Sequence, residues 1–146
     1  MKISLGSDHA AYEYKQEISE YLKELGHQVV DFGTDSKDSC DYPKYAKAAA
    51  DAVATGECDC GIIMCGTGIG MSITANKVKG IRSANCITEE MARLAREHNN
   101  ANVLNFGARL VSIDLAKKIT FAFLNTEFAG VRHERRVNMI HDLTNC

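Results

Sequence analysis

Gly61-Ile62-Ile63-Met64-Cys65-Gly66-Thr67-Gly68-Ile69-Gly70 is the stretch that decides the fold. Its first half is continuously apolar, the pattern of a strand covered on both faces. Its second half is a glycine turn of the kind that closes a strand and opens a helix. Strand, glycine loop and helix make a βα unit, and the rest of the chain repeats the alternation. Upstream, Ile3-Ser4-Leu5-Gly6 reads as a first strand and Ala10 to Leu25 as a helix, with Tyr14, Ile18, Tyr21 and Leu25 at helical spacing and Gly26 placed to stop it. Gln28 to Phe32 is a second strand. Asp41-Tyr42-Pro43 opens a second helix, where proline is tolerated near the first position, and an alanine-rich stretch continues it to Ala54. Downstream, the glycine turn leads into a helix through about Val78, and Ile81 to Ile87 holds a fourth strand. Thr88 to His98 forms a helix with Glu89 and Glu90 in its first turn, and Asn102 to Phe106 a fifth strand. Ser112 caps a helix in which Leu115, Ile119 and Phe123 share a face, and a last helix runs from Arg132 to Leu143.

Five such units predict an α/β protein, a single Rossmann-like doubly wound domain over residues 1–146 with a five-stranded parallel sheet and helices on both faces. Right-handed crossovers leave few topologies, and the commonest, 2-1-3-4-5, is the expected strand order. Ligands of such sheets bind beyond the C-terminal strand ends, where the order reverses between strands 1 and 3. The loops there are Ser7-Asp8-His9 and Cys65-Gly66-Thr67-Gly68.

Composition narrows the function classes. The 146 residues are 45% apolar and 25% charged, the balance of a folded globular domain. Lys plus Arg count 17 against 19 Asp plus Glu, so no overall field attracts nucleic acid or anionic lipid, and neither is an expected partner. No apolar run reaches membrane length, and the start of the chain carries no signal-peptide pattern, so the expected location is the cytoplasm. The cysteines at 40, 58, 60, 65, 86 and 146 are scattered, with Cys58-x-Cys60 the nearest pair. That is the usage of reduced thiols, several of them in the core, and it offers neither a disulfide framework nor a zinc site.

A few residues carry chemistry. The Gly66-Thr67-Gly68-Ile69-Gly70 turn presents amides at a helix start, where an anion or a developing oxyanion is favoured. It is neither the dinucleotide fingerprint, because Met71 replaces the last glycine, nor a Walker loop. Cys65 stands just before it, a base or nucleophile if its sulfur faces those amides and a small core hydrophobe if it does not. Asp8-His9 pairs a carboxylate with an imidazole on the ligand side, although Asp8 also suits a helix cap. His98 closes the fourth helix, either as a reactive group or as a partner for the helix dipole. Arg132 and Arg136, one turn apart beside His133 and Arg135, form either a phosphate grip or a solvated basic helix end. Their co-occurrence in one small α/β domain favours the chemical readings.

The sequence also resembles a known family. Ser-Asp-His at 7–9, Asp-Tyr-Pro at 41–43, Cys-Gly-Thr-Gly-Ile-Gly at 65–70, Ala-Asn-Lys at 75–77 and Gly-Ile-Arg at 80–82 occur in order. His-Asn at 98–99, Asn-Val-Leu at 102–104, Phe-Gly-Ala-Arg at 106–109 and Arg-His-Glu-Arg-Arg at 132–136 complete the set. The pattern is similar to that of the type B ribose-5-phosphate isomerases, within the wider family of ribose and galactose phosphate isomerases. The resemblance implies an aldose–ketose isomerase that works through a cis-enediolate without metal or other cofactor. By that analogy Cys65 is the base, His98 assists ring opening, Asp8 serves the O1 and O2 end, and Thr67 with the amides of Gly66, Gly68, Ile69 and Gly70 stabilises the enediolate oxygen. His9, Arg132 and Arg136 match phosphate-binding positions, while Asn99 and Arg109 match substrate-contacting ones. A second subtype of the family uses a glutamate at the position of Met71, so this chain falls with the cysteine subtype.

The resemblance further implies a homodimer whose active sites draw on both chains, with a tetramer of such dimers as the next assembly. Two rival readings remain. One is the same chemistry on a hexose 6-phosphate, allose or galactose. The other is a non-catalytic sugar-phosphate-binding module, which the glycine loop and arginines would suit but which gives no reason for Cys65, Asp8 and His98 to occur together.

Overall fold

The computed structural model describes all residues, 1–146. Five parallel strands, β1 (Lys2–Ser7), β2 (Gln28–Asp31), β3 (Cys60–Cys65), β4 (Ser83–Asn85) and β5 (Val103–Gly107), form one sheet. The helices are α1 (Tyr12–Glu24, entered through a 3-10 turn at His9–Ala11), α2 (Tyr42–Ala54), α3 (Ile69–Ala75), α4 (Glu89–Asn99), α5 (Ile113–Leu124) and α6 (Arg132–Thr144). The single doubly wound domain and the five parallel strands follow the expectation.

The strand order does not. It is β2-β1-β3-β5-β4, with the last two strands exchanged relative to the expected 2-1-3-4-5. The reason lies in burial. Every residue of β5 is buried, whereas Ser83-Ala84-Asn85 is short, polar at both ends and half-buried, which suits an edge. The reversal between β1 and β3 is unaffected, so the ligand crevice remains where the sequence places it.

Alternation along β3 divides the core. Ile62 and Met64 join Ile3, Leu5, Leu104 and Phe106 on the face covered by α1, α4 and α5. Ile63 and Cys65 lie on the opposite face with Val103, Met71 and the alanines of α2. Small residues such as Ala46, Ala49 and Ala50 let α2 sit close to the sheet.

Several boundaries shift. α3 ends at Ala75 and not at Val78, because the amides of Lys77 and Val78 donate to Thr74 and Ala75, the three-residue bonds of a closing turn. The region 81–87 pairs only over Ser83–Asn85. The buried stripe of α1 is Ala11, Lys15, Ile18 and Leu22, rotated from the expected Tyr14, Ile18, Tyr21 and Leu25. Tyr14 instead lies at the margin, its hydroxyl donating to the Val111 carbonyl at 2.9 Å, and Leu25 is exposed.

Lys15 is the unexpected member of that stripe, only 2% exposed. Its Nζ lies 2.6 Å from the Thr34 carbonyl and 2.6 Å from Asp31 Oδ2, anchoring the loop after β2. Lys15→Met keeps the aliphatic stem but leaves the buried Thr34 carbonyl without its donor. The variant is expected to lose about 1–3 kcal/mol of stability in urea unfolding, the cost of an unsatisfied buried acceptor. An unchanged midpoint would show that this anchor contributes nothing.

Candidate active site

A cavity of about 470 Å³ opens at the C-terminal ends of β1 and β3. Asp8, His9 and Ala10 line it from the segment after β1, Cys65 from the end of β3, Gly66, Thr67, Ile69 and Gly70 from the turn that follows, and Arg109 from the loop after β5. Tyr42 and Ile73, which no role was expected of, complete the wall from α2 and α3.

Cys65 is the last residue of β3 and 5% exposed. The Gly68 N–H donates to its Sγ at 3.2 Å, so the sulfur faces the amides of the turn. The turn can fold this tightly because position 68 has no side chain. Its φ is +79°, and a Cβ there would lie 2.9 Å from the Phe106 carbonyl carbon. Gly66 is constrained from outside, since a Cβ would meet the Arg109 guanidinium at 3.3 Å, and the Arg109 N–H donates back to the Gly66 carbonyl at 3.0 Å. Arg109 is thereby laid over the glycine turn at the cavity mouth.

Both readings of Asp8 hold at once. Its Oδ1 accepts the Ala10 N–H at 2.9 Å as the cap of the 3-10 turn, and the residue, 6% exposed, still lines the cavity. His9 Nδ1 accepts the Cys40 amide at 3.2 Å, so a neutral ring carries its proton on Nε2. Cys40 was read only as a scattered thiol; its backbone sets the tautomer of a cavity residue. Met71 is fully buried in the α2-side core and does not line the cavity.

The remaining expected residues form a second group. His98 and His133 stack with ring centroids 4.3 Å apart and planes 8° from parallel. Arg132 Nε donates to His133 Nε2 at 3.3 Å. Burial, then the neighbouring charges of His98, Arg132 and Arg136, hold the His133 imidazole below the usual histidine range. Val131 precedes this group with φ +46°, a strained value for a β-branched residue. Asn99 lies next to His98 and borders a separate recess with Arg82 and Ile140.

Topology separates the two groups within one chain. Cys65 pairs with Gly107 at the C-terminal end of the sheet, whereas Gly61 pairs with Val103 at the other end. α4 runs antiparallel to the strands and delivers His98 and Asn99 just before β5 begins. An 11-residue helix spans about 16 Å, so His98 lies on the far side of the domain from Cys65.

Residues 3–140 match the profile of the family described as Ribose/Galactose Isomerase. The chain belongs to that family. It is 49% identical over 139 residues to ribose-5-phosphate isomerase B of Escherichia coli, covering 95% of this chain and 93% of that one. The fold is similar to ribose-5-phosphate isomerase B of Clostridium thermocellum, with a TM-score of 0.98, 51% identity and coverage of 99% and 98% of the two chains. It is also similar to the Mycoplasma genitalium ribose-5-phosphate isomerase B with bound ribulose 5-phosphate, with a TM-score of 0.94, 42% identity and coverage of 99% and 96%.

All six thiols of this family member are free, and their surroundings differ. Burial pushes the Cys60 thiol up to about 12 and the Cys86 thiol up to about 11. At pH 8 the thiolate fraction of Cys60 is then on the order of 10⁻⁴, too small for useful nucleophilicity. Iodoacetamide at pH 8 is expected to alkylate Cys65 and spare Cys60 and Cys86, with ribose 5-phosphate protecting Cys65. Mass spectrometry of the peptides reads the order; labelling of Cys60 ahead of Cys65 would contradict it.

Proposed function

We propose that the chain interconverts D-ribose 5-phosphate and D-ribulose 5-phosphate through a cis-enediolate, with Cys65 as the base. The observation that carries this is the Cys65 sulfur at the cavity wall beneath the amides of an anion-favouring turn, with Asp8, His9 and Arg109 around it. Removing a proton from carbon needs a base at the carbon and donors at the adjacent oxygen, and the turn supplies both within a few residues.

In the aldose-to-ketose direction, His98 transfers the O1 proton of the furanose to the ring oxygen as the ring opens. The Cys65 thiolate takes the proton from C2, and the electron pair shifts to leave negative charge on O1. Thr67 and the amides of the 66–70 turn other than that of Gly68, which is directed at the Cys65 sulfur, stabilise that oxygen. Asp8 moves the hydroxyl proton between O2 and O1, and Cys65 returns its proton to C1, so no proton is gained or lost. His9, Arg132 and Arg136 hold the phosphate. Binding energy collected there positions a carbon several bonds away. Neither a metal nor another cofactor enters the scheme.

The separation of His98 and the arginines from Cys65 supports a homodimer in which each site takes its second half from the partner. The isolated chain sets the base and the ring-opening group at opposite ends of one sheet, and a two-fold axis brings such ends together. Tetramers and a cytoplasmic setting complete the reading. A hexose 6-phosphate remains the second substrate class, since the family spans ribose and galactose isomerases.

The first test is the initial rate of ketose formation from ribose 5-phosphate by EDTA-treated protein. Rapid turnover is expected; folded dimer without turnover on ribose 5-phosphate but active on allose or galactose 6-phosphate would move the substrate to six carbons. Cys65→Ala is expected to abolish turnover while retaining sugar-phosphate binding. His98→Asn should slow the furanose-forming ribose 5-phosphate more than ribulose 5-phosphate in initial rates well below KM. Mixing Cys65→Ala with His98→Asn subunits after unfolding and refolding should restore about a quarter of wild-type activity, because half the dimers then hold one intact site of two. No restoration would place each site within a single chain.

A further inference from the structure

Asn85 and Asn105 stand opposite each other in the register of β4 and β5. Asn105 is fully buried, an amide in the otherwise apolar run Val103-Leu104-Asn105-Phe106. A buried amide is costly unless its hydrogen bonds are made, so where these go is informative. Asn105 Nδ2 donates to the Gly68 carbonyl from the sheet side, and the same carbonyl accepts the Ser72 N–H of α3 at 3.0 Å. Asn85 Nδ2 makes a long contact, 3.5 Å, with the Thr67 carbonyl. Two side-chain amides on adjacent strands thus face two consecutive peptide oxygens of the glycine turn. Both Oδ1 atoms are buried and unpartnered, and both point at the place where a side chain on Gly68 would sit, Asn105 Oδ1 being 3.1 Å from it.

The peptide plane converts these contacts into direction. In a trans peptide the C=O and the following N–H point oppositely. With the Thr67 carbonyl turned toward Asn85, the N–H of the same peptide unit, that of Gly68, is turned away from it and onto Cys65 Sγ at 3.2 Å. With the Gly68 carbonyl held by Asn105, the Ile69 N–H of that unit points away from the sheet, on the side where Ile69 lines the cavity, and its one contact there is a long one, 3.4 Å, to the Thr67 hydroxyl oxygen, itself a cavity residue. We propose that Asn105, assisted by Asn85, is a positioning residue that fixes the two peptide planes of the glycine turn, so that the Gly68 amide serves the Cys65 sulfur and the Ile69 amide serves the developing enediolate oxygen. The role of that oxygen rests on the isomerase reading; the aim of the Gly68 amide at the sulfur does not.

Two readouts test it. Asn105→Leu preserves volume and removes the donor. Its kcat is expected to fall tenfold or more with KM within twofold of wild type, since misaimed amides affect the charge that develops during reaction more than the bound ground state. Its Cys65 alkylation rate at fixed pH should fall at least fivefold, because the sulfur loses its amide donor. A Leu variant that folds and keeps both kcat and the alkylation rate within twofold of wild type overturns the proposal. If Asn105→Leu fails to fold, Asn85→Leu on the edge strand carries the same test at the Thr67 end. Its alkylation rate should fall at least threefold, and an unchanged rate overturns the proposal equally. Wild-type turnover reports on the isomerase reading separately, because the ratio of variant to wild-type alkylation is measurable whether or not the protein isomerises sugars.

Discussion

The rest of the site depends on one contact, the Gly68 N–H on the Cys65 sulfur. It requires that β3 end with its last side chain turned to the α2 and α3 face, which alternation along a doubly covered strand fixes. The chain must then reverse at once, before the sulfur is packed away like that of Cys60 one strand length earlier. A turn tight enough to do so leaves no room for a side chain at Gly68, against the β5 backbone, and almost none at Gly66, beneath Arg109. The glycines are the consequence of bringing amides to a thiol at the edge of a core.

Helix direction imposes the second constraint. In a right-handed βα fold each helix returns to the end where strands begin, so any residue in the last turn of a helix is carried away from the ligand crevice. His98 and Asn99 occupy that position in α4, and the start of α6 packs there as well, through the stacking of His133 on His98. A single copy of this fold therefore presents a thiol with its glycine turn at one end and an imidazole–guanidinium cluster at the other. Two copies related by a two-fold axis satisfy both ends at once, which makes assembly a condition of the chemistry proposed here.

The fold was largely legible because the signals that build it are local. The apolar run 61–65, the glycine turn, Pro43 and the cap residues Thr88 and Ser112 each act within a few residues, and the elements they announce are present. Strand order was not legible by the same means. It follows from which of β4 and β5 is buried on both faces, although the contrast between Ser83-Ala84-Asn85 and Val103-Leu104-Asn105-Phe106 contained the clue. Lys15 escaped for a related reason, since its partners, Thr34 and Asp31, lie on a loop brought to it only by the β1–β2 pairing. At the site, the cavity gathers Asp8, His9, Cys65, all of the 66–70 turn except Gly68, and Arg109, while Tyr42 appeared in the sequence only as the neighbour of a proline.

Asn105 shows what kind of signal was overlooked. A lone amide in a buried strand reads as a defect when only periodicity is considered, and no pattern of spacing connects it with a loop 37 residues away. The connection becomes visible once each buried polar group is followed to its partner, because a fully buried amide persists only where something compensates its desolvation. Here the compensation goes to a carbonyl of the turn that holds the thiol. The same accounting explains the contrast among cysteines. Cys60 and Cys86 are buried with no backbone amide directed at their sulfur, and burial is the main cause that raises both, joined at Cys60 by the nearby Asp59 charge. Cys65 is equally enclosed, yet it has an amide aimed at it and an opening beside it. What sets Cys65 apart in this fold is therefore not its depth but a backbone donor directed at its sulfur and a cavity beside it.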